Sequence, residues 1–187
     1  VKKGDLLLCD AGAEYALYAS DITRTWPVSG TFNKAQRALY EIVLATHTEC
    51  SKVAKVGVPY ETIHNTAVEV LTEGLLSLGL LKGTLKKNIE AETYRRFYMH
   101  KTGHWLGLDV HDVGEYRLAG KSRQLEPGMV FTVEPGLYIA PGTPGVPEKY
   151  QGIGIRIEDD ILMTRKGPEN LSDGVPKTVA AIEALLA

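Results

Sequence analysis

Apolar and polar positions along this chain change their period several times. Asp5 to Cys9 is a short apolar run closed by Asp10-Ala11-Gly12, the pattern of a buried strand breaking into a turn. Tyr15 to Val28 carries Tyr, Ile, Thr, Trp and Val in near alternation and stops at Pro27-Val28-Ser29-Gly30, which predicts a second strand and a hairpin with the first. From Asn33 the spacing becomes helical. Leu39, Ile42, Val43, Thr46, Cys50 and Val53 share a face, with Asn33 as N-cap, Gln36 placed to complete a capping box and Gly57 beyond the end. Ile63, Ala67, Val70, Leu71, Leu75 and Leu78 predict a second helix, with Gly79 and Gly83 near its end. Strand signals return over Met129–Val133 and Gly152–Met163, separated by a loop rich in Gly and Pro from Pro141 to Pro147, and a short last helix is predicted over Pro176–Leu186. Strands, then helices, then strands again predict an α+β layered fold with a mostly antiparallel sheet.

Composition narrows the class. At 187 residues, 44% hydrophobic and 24% charged, the chain supports one sizeable core, so residues 1–187 are expected to form one domain. No apolar run approaches the ~18 residues of a membrane span, and the opening VKKGDLLLCD has no secretory signal, so a cytoplasmic setting without membrane contact is expected. A net charge of −2 with no Lys/Arg block argues against nucleic acid as a partner. Cys9 and Cys50 form neither a framework nor a metal-spaced pair and are read as reduced, buried small hydrophobes. Because the chain begins at Val1 and enters a strand almost at once, it is expected to be part of a longer protein, with an exposed edge or apolar patch that favours self-association.

The unusual chemistry lies between His100 and Asp112. Of five histidines in the chain, His100, His104 and His111 fall here, among Gly, Trp and Leu. Imidazole is the commonest metal ligand and proton shuttle near neutral pH, although any one of the three alone reads equally as a satisfied loop residue. Acids at strand ends add to the picture. Strand alternation places Leu6, Leu8 and Asp10 on one face, Asp21 beside Thr23 and Thr25, Glu134 at the end of the row Val130, Thr132, and Arg156, Glu158 and Asp160 together opposite Ile155, Ile157 and Ile161. Each has a plain alternative: a turn or capping Asp, or a surface ion-pair face around Arg156. Together, four acids and a histidine form a hard, oxygen-rich donor set suited to Mn²⁺, Mg²⁺ or Co²⁺, and several carboxylates allow bridging of two ions about 3.5 to 4 Å apart. The chemistry points to a two-metal hydrolase.

Five stretches then match a known pattern in order: Asp10-Ala-Gly-Ala-Glu-Tyr, Ser20-Asp-Ile-Thr-Arg-Thr-Trp-Pro-Val, Gly103-His-Trp-Leu-Gly-Leu-Asp-Val-His-Asp, Leu125-Glu-Pro-Gly-Met-Val-Phe-Thr-Val-Glu-Pro-Gly-Leu-Tyr and Gly152-Ile-Gly-Ile-Arg-Ile-Glu-Asp-Asp. They resemble the catalytic domain of the Xaa-Pro aminopeptidases, in the pita-bread metallopeptidase family, over nearly the whole chain. The resemblance implies a pita-bread fold, here without its N-terminal portion, without a separate N-terminal domain and without an active-site histidine supplied from upstream. It implies Asp10, Asp21, His104, Glu134 and Glu158 as ligands of two divalent ions, most often Mn²⁺, with Asp21 and Glu158 bridging, Asp10 completing one site, and His104 and Glu134 the other. His111 is implied to steady the substrate carbonyl or tetrahedral intermediate and Glu134 to shuttle protons as well. His100, Tyr138 and Arg156 are implied to line the proline pocket, Arg156 within the catalytic set. The implied reaction removes an N-terminal residue preceding proline from a peptide, in a family that commonly forms dimers or tetramers. A dipeptidase specific for Xaa-Pro, a methionine aminopeptidase, a non-enzymatic pita-bread module, or a catalytically incomplete chain that only binds metal stand as alternatives.

Overall fold

The computed structural model describes all residues 1–187, and the elements follow the α+β order expected from the sequence. Strand β1 (Leu6–Ala11) pairs antiparallel with β4 (Ile22–Pro27), with Asp10 opposite Thr23. Between them the predicted single strand from Tyr15 to Val28 is interrupted. A small hairpin, β2 (Glu14–Tyr15) and β3 (Tyr18–Ala19), turns through Ala16 and Leu17, both at positive φ, and the chain re-enters a strand only at Ile22. The excursion folds back on itself because the Ser20 N–H bonds the Ala13 carbonyl, and a Cβ on Gly12 would lie 1.8 Å from the Ser20 carbonyl oxygen. That close return sets Asp21 beside Asp10.

Helix α1 (Lys34–Val53) starts as predicted. The Asn33 side chain accepts the N–H groups of Ala35 and Gln36, and the Gln36 side chain accepts the Asn33 N–H, closing a capping box. Its face of Leu39, Val43, Thr46 and Cys50 is buried against α2 (Glu61–Ser77), whose Ile63, Ala67, Leu71 and Leu75 are buried in turn. A short α3 (Leu85–Glu90), a 3-10 turn over Thr93–Arg96 and a small hairpin, β5 (Arg117–Leu118) with β6 (Lys121–Ser122), lie outside the periodic signals.

The remaining strands differ from the sequence reading in one respect that matters for the site. β7 (Val130–Val133) runs almost as predicted, and a further strand the sequence reading did not mark, β8 (Gly136–Ile139), begins after Glu134 and Pro135. The single strand expected over Gly152–Met163 divides into β9 (Ile153–Arg156), paired with β8, and β10 (Asp159–Thr164), paired with β7 and with β11 (Gly167–Asn170). Ile157 and Glu158 form the crossing between the two ladders. Side-chain and backbone bonds stitch the ladders into one curved surface: Thr25 Oγ1 donates to the Arg156 carbonyl at 3.0 Å, and the Glu158 N–H reaches the Thr23 carbonyl at 3.1 Å. Helix α4 (Val179–Leu185), capped by Thr178, packs near α1.

One apolar cluster of 32 buried residues joins α1 and α2 to the inner face of the strands, as a single core requires. No helix is long and apolar enough to cross a membrane. Two expectations at the amino-terminal strand are corrected. Cys9 is exposed while Cys50 is buried, and β1 is not a buried strand: Leu6 and Leu8 are half-buried, and Leu7, Cys9 and Asp10 are exposed. β1 is hydrogen-bonded to a strand on one edge only, β4.

Candidate metal centre

Each acid singled out in the sequence ends or precedes a strand, and the curvature of the joined ladders brings those ends together. Asp10 lies near the end of β1, Asp21 just before β4, Glu134 directly after β7 and Glu158 at the crossing from β9 to β10. His104 arrives from an irregular segment that runs alongside β7. The N–H groups of Thr132 and Glu134 bond the carbonyls of His104 and Thr102, and the Leu106 N–H bonds the Val130 carbonyl. Gly103 permits that approach, because a Cβ there would stand 2.0 Å from the Thr132 carbonyl oxygen.

Donor atoms of Asp10, Asp21 and Glu158 lie within 4.8 Å of one another, as do those of His104, Glu134 and Glu158, and those of Asp21, His104 and His111. All five sequence-predicted ligands therefore converge, and Glu158 belongs to two of the groups. His111, read from the sequence as a neighbour of the centre, stacks edge-on against His104 with ring centroids 4.4 Å apart.

Hydrogen bonds fix the orientation of these groups. His104 Nδ1 lies 3.0 Å from the Trp105 carbonyl, which can only accept, so Nδ1 carries the proton and Nε2 is turned toward Asp21 at 3.3 Å and Glu134 at 3.7 Å. Thr132 Oγ1 accepts the His104 N–H at 3.1 Å and donates to Glu134 at 3.4 Å. Thr23 Oγ1 donates to Glu158 at 2.5 Å. Arg156 spans the opposite wall, donating to Asp10 at 2.5 Å, to the Tyr138 hydroxyl at 3.1 Å and to Thr23 Oγ1 at 3.1 Å. Tyr138 in turn meets His100 Nε2 at 2.8 Å.

The electrostatics are those of crowded acids. Burial, together with the surrounding Glu134, Asp21 and Asp10 carboxylates, pushes Glu158 up to about 8. Burial raises Glu134 to about 7 against the opposing pull of His104 and Arg156. Burial acts on Asp21 in the same direction, but its bonds to His104 and Asp10 and the charges of His104 and His111 bring it below the ordinary carboxylate value. His104 is raised to about 9: burial opposes its charge, and the bond to Asp21, the Trp105 carbonyl and the Glu134 charge override it. An oxygen-rich set with one imidazole nitrogen aimed at carboxylates fits divalent cations of the hard class, whose charge would offset the mutual repulsion.

A cavity of about 880 Å³ opens beside the centre. His100, His104, His111, Glu134 and Arg156 line it, whereas Tyr138, expected with His100 and Arg156 in a proline pocket, does not; Tyr60, just before α2, and His64 and Asn65 of α2 line it without having been singled out in the sequence. Nothing in the period of α2 marks those positions as lining. Asp160, grouped in the sequence with Arg156 and Glu158, accepts the Asp21 N–H, at 3.1 and 3.3 Å to its two oxygens.

An antiparallel sheet under two helices, with acids from several strand ends and a histidine converging beside a cavity, is the arrangement of a pita-bread fold with a candidate metal centre. The chain belongs to metallopeptidase family M24, whose model matches residues 1–165. It is 51% identical over 183 residues to the Xaa-Pro aminopeptidase of Haemophilus influenzae, covering 98% of this chain and 42% of that protein. It is 52% identical over 186 residues to the Xaa-Pro aminopeptidase of Escherichia coli strain K12, covering 100% and 42%. Among solved structures it superposes on the aminopeptidase PepP of Pseudomonas aeruginosa with a TM-score of 0.98 at 54% identity, and on zinc-substituted E. coli aminopeptidase P in complex with product with a TM-score of 0.95 at 52% identity. The first covers 100% of this chain and the second 99%, each spanning 42% of the other protein. The chain thus spans about two-fifths of the length of the relatives it matches.

Proposed function

We propose that this chain is a catalytic domain, spanning residues 1–187, that removes the N-terminal residue of a peptide carrying proline in second position, using two divalent cations, with Mn²⁺ as the preferred metal. The observation that carries this reading is the pair of donor groups, Asp10–Asp21–Glu158 and His104–Glu134–Glu158, which share Glu158. Two adjoining sets with a common carboxylate accommodate two ions where one would leave donors unused. Asp10, Asp21, His104, Glu134 and Glu158 would hold them. When bound, such ions supply water activation and Lewis acidity toward a carbonyl.

The chain's own residues account for the rest. Glu134, which lines the cavity with its carboxylate bonded by Thr132 Oγ1, is placed to take a proton from water and return it to the leaving proline nitrogen. His111, exposed at the mouth beside His104, is placed to donate to the substrate carbonyl oxygen as charge develops there. An Xaa-Pro amide has no N–H, so recognition of its ring depends on shape, and the His100–Tyr138–Arg156 wall offers aromatic surface held rigid by its hydrogen bonds. Similarity to proteins named Xaa-Pro aminopeptidase supports the same substrate class.

The deciding experiment is a mass-spectrometric cleavage assay with added Mn²⁺, comparing an Xaa-Pro-Yaa tripeptide with an Xaa-Pro dipeptide and using Asp21→Ala to exclude contaminating peptidase. Release of the first residue from the tripeptide, lost in the control, is expected. Cleavage of the dipeptide alone would replace this reading by a dipeptidase, and cleavage of neither would overturn it for this chain.

A further inference from the structure

Three consecutive acids follow β9, and the structure sends them in three directions. Glu158 faces the candidate centre, and Asp160 accepts the backbone N–H of Asp21. Asp159 turns inward and is completely buried. A lone carboxylate there would be costly; Arg24 at 2.6 Å and Asn170 and Ser172 each at 2.7 Å donate to it, and Lys177 and His47 each stand at 3.1 Å.

Arg24 is the member that reaches back toward the centre. Its Nη1 donates to the carbonyls of Thr23 at 2.9 Å and Glu158 at 2.6 Å, while Nε and Nη2 bond the carbonyls of Pro176 and Val175 at 3.1 and 3.0 Å. Thr23 and Glu158 are the residues whose side chains meet at 2.5 Å in the site. The planar fork therefore clamps, from behind, the two backbones that present this pair. Neither Arg24 nor Asp159 lines the cavity. A buried ion cluster is rarely the most stable filling for an interior, and hydrophobic residues of similar volume serve as well or better. What this cluster provides that they would not is a fixed distance between β4 and the β9–β10 crossing.

We infer that Arg24 is a positioning residue: anchored on Asp159, its guanidinium fixes the backbone from which Glu158 reaches the metal centre. The inference rests on the reading of Glu158 as a metal ligand. It goes beyond that reading by assigning control of the ligand to residues that touch neither metal nor substrate.

The test uses metal binding as well as turnover. Arg24→Lys keeps a cation for Asp159 but cannot bond both carbonyls through a planar fork. Mn²⁺ affinity by isothermal titration, and the metal-to-protein ratio after dialysis, would be compared for wild type, Arg24→Lys and Lys177→Met. The last removes another cation from Asp159 without touching the Thr23 or Glu158 backbone. Expected is a loss of Mn²⁺ affinity of about 10- to 100-fold in Arg24→Lys, the range for partners that orient ligands, with Lys177→Met lowering the melting temperature only. Wild-type affinity in folded Arg24→Lys would overturn the inference, as would equal losses in both variants that track their melting temperatures. If Arg24→Lys does not fold, Asp159→Asn, which weakens the anchor at nearly constant shape, is judged by the same criteria. A wild-type chain that takes up no Mn²⁺ would overturn the inference together with the metal reading, whereas uptake without proline-peptide cleavage would overturn the substrate reading alone.

Discussion

His104 Nε2 lies 3.3 Å from a carboxylate oxygen of Asp21, while the Nδ1 of the same ring is committed to the Trp105 carbonyl. The imidazole thus either carries a second proton or shares Asp21 with a cation. The same alternative governs Glu134 and Glu158, raised to about 7 and about 8 by burial and their neighbours. Their folded values lie above the ordinary 4.5, so in metal-free protein their contribution to stability is in place below about pH 4.5 and is lost as pH rises toward 7 and 8. A divalent cation removes that penalty. The stabilisation by Mn²⁺ should therefore grow from pH 6 to pH 8, reaching about 2.7 kcal/mol once the metal stands at 100 times its dissociation constant. Melting curves with and without Mn²⁺ at both pH values check this, and equal shifts at the two would contradict it.

On the proposed reading, Glu134→Ala removes both a metal ligand and a proton carrier. Turnover of an Xaa-Pro-Yaa peptide should fall by at least about 10²-fold, the lower end for loss of a general acid–base group. Near-normal activity in that variant with manganese bound would refute both roles.

Gly103 is where the His104 segment passes closest to β7. Because an added Cβ would meet the Thr132 carbonyl oxygen at 2.0 Å, Gly103→Ala must push the segment away and break its bonds to Thr132 and Glu134. We expect a loss of about 1 to 3 kcal/mol, typical of overpacking, together with weakened metal uptake. Urea denaturation and metal analysis on the same sample would check the two effects; retention of full metal affinity would show that the segment can shift without moving His104.

His64 offers a pH signature apart from the carboxylates. Burial, with Lys101, Arg95 and His100 nearby, lowers its imidazole from 6.5 to about 4, and its Nδ1 meets Thr102 Oγ1 at 2.8 Å. The unfolded chain therefore binds more protons between about pH 6.5 and pH 4, and stability falls as pH falls through that window, by at most about 1.4 kcal/mol per pH unit for one proton. His64→Gln should flatten the slope between pH 6.5 and pH 4.5 relative to wild type. Parallel slopes in urea titrations would contradict the assignment.

Much of the fold was legible where local rules act alone. The Asn33–Gln36 capping box and the buried stripe from Leu39 to Cys50 are fixed by spacing within a few residues, and both appear as read. The strand from Tyr15 to Val28 was misread because alternation cannot register a return such as Ser20 onto Ala13, where one backbone satisfies another. The division of Gly152–Met163 escaped for a related reason: Ile155, Ile157 and Ile161 keep alternating while the strand changes partner from β8 to β7. Cys9 was misplaced because exposure of β1 depends on what packs against it, and an apolar run carries no record of that.

By itself the sequence determined the inventory of the site: four strand-end acids, His104 and its neighbours His100 and His111, set in motifs that resemble one metallopeptidase family. Those choices are local, since a donor type and its place in a turn or strand are properties of a few adjacent residues. Tertiary structure alone decided how the donors are grouped. That Glu158 is shared between Asp10–Asp21 and His104–Glu134, that Asp160 serves the Asp21 backbone, and that Arg24 grips the Glu158 carbonyl all join residues more than a hundred positions apart in at least one pair. Such distances are set by the curvature of joined ladders and by which buried charges can be satisfied together, and no period along the chain encodes either.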